Sequence, residues 1–231
     1  MGAKLKISQL RFIVAILFAP VFLLLGCTHI LNIEITEIGN YSQPLVEPLP
    51  IDVGVYYSND FRTYKTVQEN FLADPSAYSQ DVGVTRISKI QLGEANVALF
   101  DFILSHLFEN LTSIQNIPNE SENLTNIDLL VEPTISNYIY SERQVYFEPA
   151  AWVRIEYTIN FYSPDGLLIS TWALSGQSSK NITLHGIEIL SGHTSSVELT
   201  QLAMREVAAQ FFTGFCNQRE IQKHFSEQCN Q

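Results

Sequence analysis

Five apolar residues at every second position, Val153, Ile155, Tyr157, Ile159 and Phe161, alternate with Arg154, Glu156, Thr158 and Asn160. That is the two-residue period of a strand with one face in a core and the other in water; a helix would scatter the same set around its circumference. Ser163-Pro164-Asp165-Gly166 follows, with the residues of a type I turn, proline fixing the first central dihedral and glycine closing it. The segment reads as a β-hairpin. Pairing across the turn sets Phe161 opposite Leu168, Tyr157 opposite Trp172 and Ile155 opposite Leu174, which puts Trp172 in the core beside an aromatic neighbour.

The remaining elements follow from the same test of period. Ile51, Val53, Val55 and Tyr57 alternate with Asp52, Gly54 and Tyr56 as a half-buried strand, and Val84 to Leu92 reads as a second one. Residues 58 to 92 are left open as a whole, since Asp74-Pro75 and Asp81 to Gly83 punctuate them and only the Val84 to Leu92 segment has an ordered pattern. Phe100, Ile103, Leu104, Leu107, Phe108 and Leu111 recur at three and four residues, predicting a helix from about Glu94 to Ser113. Ile127, Leu129 and Val131 alternate, and Ile135, Tyr138 and Tyr140 extend that strand past Pro133. Ser195 and Glu198 are spaced as a capping box ahead of a second helix, about Val197 to Thr213, with Gly214 placed to end it. This order, β-α-β-β-β-α, predicts an α+β fold with two helices on one face of a mostly antiparallel sheet.

The amino terminus has a different character. Lys4, Lys6 and Arg11 form a basic lead, and Phe12 to Leu25 is an uncharged apolar run broken by Pro20, the layout of a secretory signal peptide. The run is shorter than the ~20 residues that span a bilayer. It ends in Leu24-Leu25-Gly26-Cys27, which resembles the lipobox of bacterial lipoproteins. In that family the cysteine thiol receives a diacylglyceryl group, the chain is cut before it, and the new amino group is acylated. The resemblance implies lipidation at Cys27 and, with Thr28 and not aspartate in the next position, residence on the periplasmic side of the outer membrane, the inner membrane being the other possibility. Two or three acyl chains on one residue make attachment effectively permanent.

The chain then divides as signal 1–26, lipidated tether 27–50, domain 51–215 and polar tail 216–231. Pro44, Pro48 and Pro50 mark the tether, although Ile30 to Ile35 can also pair as an edge strand. Only three of the 13 basic residues precede Cys27, so the mature chain sets 10 basic side chains against 24 acidic ones, a net charge of −14. That balance repels nucleic acid, which is not expected as a partner. Once Cys27 carries lipid, an oxidising periplasm permits a bridge between Cys216 and Cys229, two free thiols being the alternative.

The chain has no Gly-x-Ser-x-Gly elbow, no phosphate-cradling glycine loop and no His-Glu-x-x-His helix. His185, Glu188 and His193 are the closest grouping of metal-ligand types, but their spacing fits no helix face and a fourth ligand is missing, so neither metal nor cofactor is expected. Glu142, Glu148 and Glu156 are read as surface charges. Tyr138, Tyr140, Tyr146, Phe147 and Trp152 crowd the ends of adjoining strands, and Tyr138, Tyr140, Tyr146 and Trp152 are the candidate surface for a protein partner. In layout alone the chain resembles the small periplasmic lipoproteins that serve envelope machines, such as the lipopolysaccharide-assembly lipoprotein, the curli secretion lipoprotein and auxiliary lipoproteins of transport systems. The implied role is a non-enzymatic accessory or structural component of an envelope complex, the alternative being a carrier of lipid or a small amphiphile.

Overall fold

The computed structural model describes residues 28–41, 44–73, 83–118, 124–143, 150–181 and 192–230. In chain order these form β1 (Thr28–Glu34), β2 (Leu49–Tyr56), α1 (Asn59–Arg62), β3 (Lys65–Ala73), β4 (Gly83–Gln91), α2 (Gly93–Leu107) and β5 (Phe108–Ile114). Then come β6 (Leu129–Arg143), β7 (Ala150–Tyr162), β8 (Leu168–Asn181), α3 (Gly192–Gly214), a 3₁₀ turn (Phe215–Asn217), α4 (Arg219–His224) and α5 (Ser226–Cys229). The class is α+β, with a five-stranded sheet ordered β5-β2-β6-β7-β8 and a three-stranded sheet ordered β1-β4-β3.

The long ladders β6–β7–β8 and β3–β4 are antiparallel, whereas β2 joins β5 and β6 in parallel and β1 joins β4 in parallel. A strand with parallel neighbours on both sides is covered on both faces. Accordingly Val53, Gly54 and Val55 are all buried, and a side chain at Gly54 would meet Leu130 at 2.7 Å. On β7 the predicted face, Val153 to Phe161, is fully buried, and the alternate residues face outward.

Helices α2 and α3 both lie on that buried face. Phe100 of α2 packs edge-on to Tyr157 at 5.2 Å and to Phe211 of α3 at 6.4 Å. Met204, Val207 and Phe211 complete the stripe from α3. The helix sits close: a Cβ on Gly176 of β8 would come within 1.9 Å of the Ala203 carbonyl oxygen.

Four expectations are corrected. The first helix ends at Leu107, not near Ser113, because Phe108 turns extended (φ −123°, ψ 145°) and starts β5 beside β2. Asn110, Thr112 and Ser113 suit that strand better than a helix. The second helix begins at Gly192, so Ser195 and Glu198 do not cap its start; Glu198 instead accepts a 2.8 Å hydrogen bond from Lys180 on β8. The hairpin register is shifted by two: Phe161 faces Ser170, Ile159 faces Trp172 and Tyr157 faces Leu174. Gly166 occupies the left-handed region (φ +82°) after the turn and the ladder is irregular at Phe161/Tyr162, so more residues are used in reversing direction than a tight turn needs. Trp172 consequently sits at the rim of the core, half-buried against Phe211 and Gly214.

The segment after Cys27 takes the strand option. Ile33 and Ile35 are buried, and the chain then runs along α3, where Gln201 donates to the Glu37 carbonyl and Arg205 to that of Asn40. At the other terminus a Cys216–Cys229 disulfide closes a 13-residue separation. The tail it holds is not wholly polar, for Ile221 and Phe225 are buried.

Candidate functional site

Among the described residues, buried polar side chains concentrate where the small sheet meets β6. Beyond Val131, β6 loses β2 as a neighbour, leaving its backbone groups on that side without a strand to pair with. Side chains of β3 take the strand's place. Gln68 donates to the Tyr138 backbone carbonyl (3.1 Å), Asn70 Nδ2 donates to that of Tyr140 (3.5 Å), and Asn70 Oδ1 accepts from the Glu142 backbone N–H (3.2 Å). This satisfies an edge that would otherwise be buried unpaired or left open to other chains.

A bulge between Ile135 and Asn137 sets the inward face of β6 to Tyr138, Tyr140 and Glu142. Glu142 is ion-paired with Arg86 of β4 and accepts a hydrogen bond from the Tyr140 hydroxyl. Burial, and then the charge of Glu142 and the hydrogen bond to it, push the Tyr140 phenol well above its ordinary range, so it stays a donor. The Tyr138 hydroxyl lies 2.8 Å from Thr200 Oγ1 on α3, and Thr200 donates to the Ser196 carbonyl at 2.7 Å, which leaves Tyr138 as the donor. Burial raises this phenol too.

This cluster contradicts two expectations. Tyr138 and Tyr140 are 2% and 1% exposed, so they are not a partner surface; their rings belong to the core and their hydroxyls to the cluster. Glu142 is buried and paired, not a surface charge. Of the other candidates, Trp152 is 37% exposed and Glu156 forms an exposed-side ion pair with Arg154 at 2.6 Å. Cys27, Tyr146, Phe147, Glu148, His185 and Glu188 lie outside the described residues, and His193 is described only as part of α3. The signal for Glu142 was present in sequence: it continues the i, i+2 series of Tyr138 and Tyr140, and a carboxylate on a buried strand face needs a cation.

An ion pair enclosed in this way holds the two sheets together. Two surface depressions lie among the described residues. A polar notch of about 200 Å³ lies between the end of β1 and the start of α2, among Glu34, Arg62, Lys65 and Glu94. A cleft of about 410 Å³ lies at the opposite end of α2, walled by Leu49, Leu107, Phe212, Phe215 and the disulfide, with Leu45 fully exposed on its rim. Among the described residues no group of three or more His, Cys, Asp or Glu side chains could hold a metal, and no helix is long and apolar enough to cross a membrane.

No family model matches the chain, and no curated protein matches it in sequence. Among the solved structures similar in overall shape are two of low sequence identity. One is a minor lipoprotein from Acinetobacter baumannii, 9% identical, covering 76% of this chain and 96% of its own, with a TM-score of 0.40. The other is described as a neuraminyllactose-binding hemagglutinin homolog from Helicobacter pylori, 11% identical, covering 84% and 97%, with a TM-score of 0.44.

Proposed function

We propose that this protein is anchored through lipid on Cys27 to the periplasmic side of the outer membrane and serves there as a non-enzymatic accessory or structural component of an envelope complex. One observation carries the reading: a basic lead and a short apolar run end in Leu24-Leu25-Gly26-Cys27, with Thr28 next. The buried cluster agrees with it, because its charges and hydroxyls are used in joining the two sheets. Fractionation tests the proposal. The native chain should sediment with outer membranes and incorporate labelled fatty acid, whereas Cys27→Ser should do neither; equal membrane retention of both would contradict it. A partner is sought by cross-linking at exposed positions such as Trp152, since Tyr138 and Tyr140 are not accessible.

A second reading, carriage of a small amphiphile, has one observation in its favour. The cleft beside Leu107 and Phe212 falls in the size range of small-molecule sites. Purified protein extracted with organic solvent should then release a bound lipid beyond its own anchor, and Phe212→Asp should abolish that release.

A further inference from the structure

Cys216 and Cys229 are joined to the domain in different ways. Cys216 follows Phe215, which is 1% exposed and packs edge-on to Phe108 of β5 at 5.1 Å and to Phe161 of β7 at 5.8 Å, so its place is fixed by the core. Cys229 ends α5, a four-residue helix that buries none of its side chains. Between the two, Ile221 and Phe225 reach the core. Among the described residues, the hydrogen bonds and ion pair of 219–230 stay within the tail. Gln222, Phe225 and Cys229 donate their backbone N–H to Gln218, Ile221 and Phe225, Asn230 donates to the Ser226 carbonyl, and Lys223 pairs with Glu220. Past Phe225, therefore, the segment is fastened to the domain through its sulfur.

That bond also completes a wall. Cys216, Gln228 and Cys229 line the cleft of about 410 Å³ together with Leu49, Leu107, Phe212 and Phe215. Leu107 and Phe215 are nearly inaccessible while the tail is in place. The two cysteines are half-buried and face an open cleft, so a thiolate can reach the bridge; exposed disulfides are the labile ones.

We propose that the Cys216–Cys229 disulfide is a redox clasp on this cleft, opened by a dithiol to expose Leu107, Phe212 and Phe215. One thiolate of the dithiol attacks a bridge sulfur, forming a mixed disulfide and releasing the other cysteine as a thiolate. The second thiol of the reductant then displaces the remaining cysteine and leaves as a cyclic disulfide. Two electrons and two protons pass from the dithiol to Cys216 and Cys229, which end as thiols. Residues 226–230 then swing away from the cleft, with Ile221 and Phe225 holding α4 as the hinge. Chain entropy for a loop of this size corresponds to about a hundredfold in such an opening equilibrium. The clasp acts whether or not the cleft carries an amphiphile.

The test uses the full chain purified from membranes in detergent, with and without dithiothreitol and with no denaturant. Iodoacetamide should modify Cys216 and Cys229 only after dithiothreitol. Hydrogen exchange read by mass spectrometry should then show protection of 226–230 lower by about a hundredfold, with β6, β7 and α2 unchanged. Hydroxyl-radical footprinting should oxidise Phe212 and Phe215 several-fold faster in the reduced protein. Cys216→Ser/Cys229→Ser should give the same unprotected tail without reductant. A bridge that resists dithiothreitol in the native protein overturns the clasp, as does a tail equally protected after reduction or an unchanged footprint. Protection lost throughout the sheet also overturns it, because the bridge would then support the whole domain.

Discussion

Arg86 and Glu142, 56 residues apart in sequence, form an ion pair whose side chains are only 7% and 6% exposed. The pair joins β4 of one sheet to β6 of the other, and the Tyr140 hydroxyl occupies the second carboxylate oxygen. Removing one partner strands a buried charge. Arg86→Met or Glu142→Leu alone should cost about 3–5 kcal/mol, and the double variant should recover much of that loss, because apolar replacements of both partners leave no charge to solvate. Urea denaturation of the four proteins reads both effects. Additive losses in the double variant would show that the pair is not coupled.

The buried phenols make the fold sensitive to alkali. Tyr162 is pushed up to about 12, chiefly by burial and then by its hydrogen bond to Glu132, and Tyr57, Tyr138, Tyr140 and Tyr157 are also raised. A phenol raised in the folded state holds its proton where the unfolded chain, near pH 10, releases it. Unfolding then releases protons, so stability is fully present below pH 10 and falls as pH rises from there through about 12 for Tyr162. Tyrosinate absorbance should appear together with loss of circular dichroism over that window. Full ionisation with the fold intact would contradict the burial.

Close seating of α3 on β8 depends on Gly176. Any Cβ there meets the Ala203 carbonyl oxygen, a backbone atom that moves only if the helix does. Gly176→Ala should therefore destabilise the domain by about 1–3 kcal/mol, as overpacking does, while Ser175→Ala on the exposed face of the same strand should be near neutral. Thermal melting of both variants separates the two cases.

The Cys216–Cys229 bridge fastens a tail that places Ile221 and Phe225 in the core. Chain entropy assigns a loop of this size roughly 3 kcal/mol. Reduction, or the Cys216→Ser/Cys229→Ser variant, should lower the melting temperature by several degrees without unfolding the sheet. An unchanged melting curve would mean that packing of Ile221 and Phe225 suffices.

How much of this was legible depended on range. The face of β7 and the stripe of α2 were readable because a local period of two or 3.6 residues reports burial directly. The β7–β8 register was not, since it rests on how many residues the chain spends around Gly166. The end of α2 was misread because Phe108 and Leu111 fit the helical series equally well, and only pairing of β5 with β2 turns them into a strand. Tyr138 and Tyr140 looked like an interface because clustered aromatics serve cores and interfaces alike; the bulge after Ile135 and the cover supplied by β3 decide between them. Glu142 was legible as the continuation of the Tyr138 and Tyr140 series, but its partner was not, since Arg86 lies 56 residues away, beyond any local window.

Anchoring of the domain depends on the chemical state of one residue, Cys27. Mass spectrometry of the amino-terminal peptide from membrane-purified protein measures it directly. The predicted result is a chain that begins at Cys27, with a diacylglyceryl thioether on its sulfur and an acyl group on its nitrogen. A peptide that begins elsewhere, or at Cys27 with a bare thiol, would contradict it.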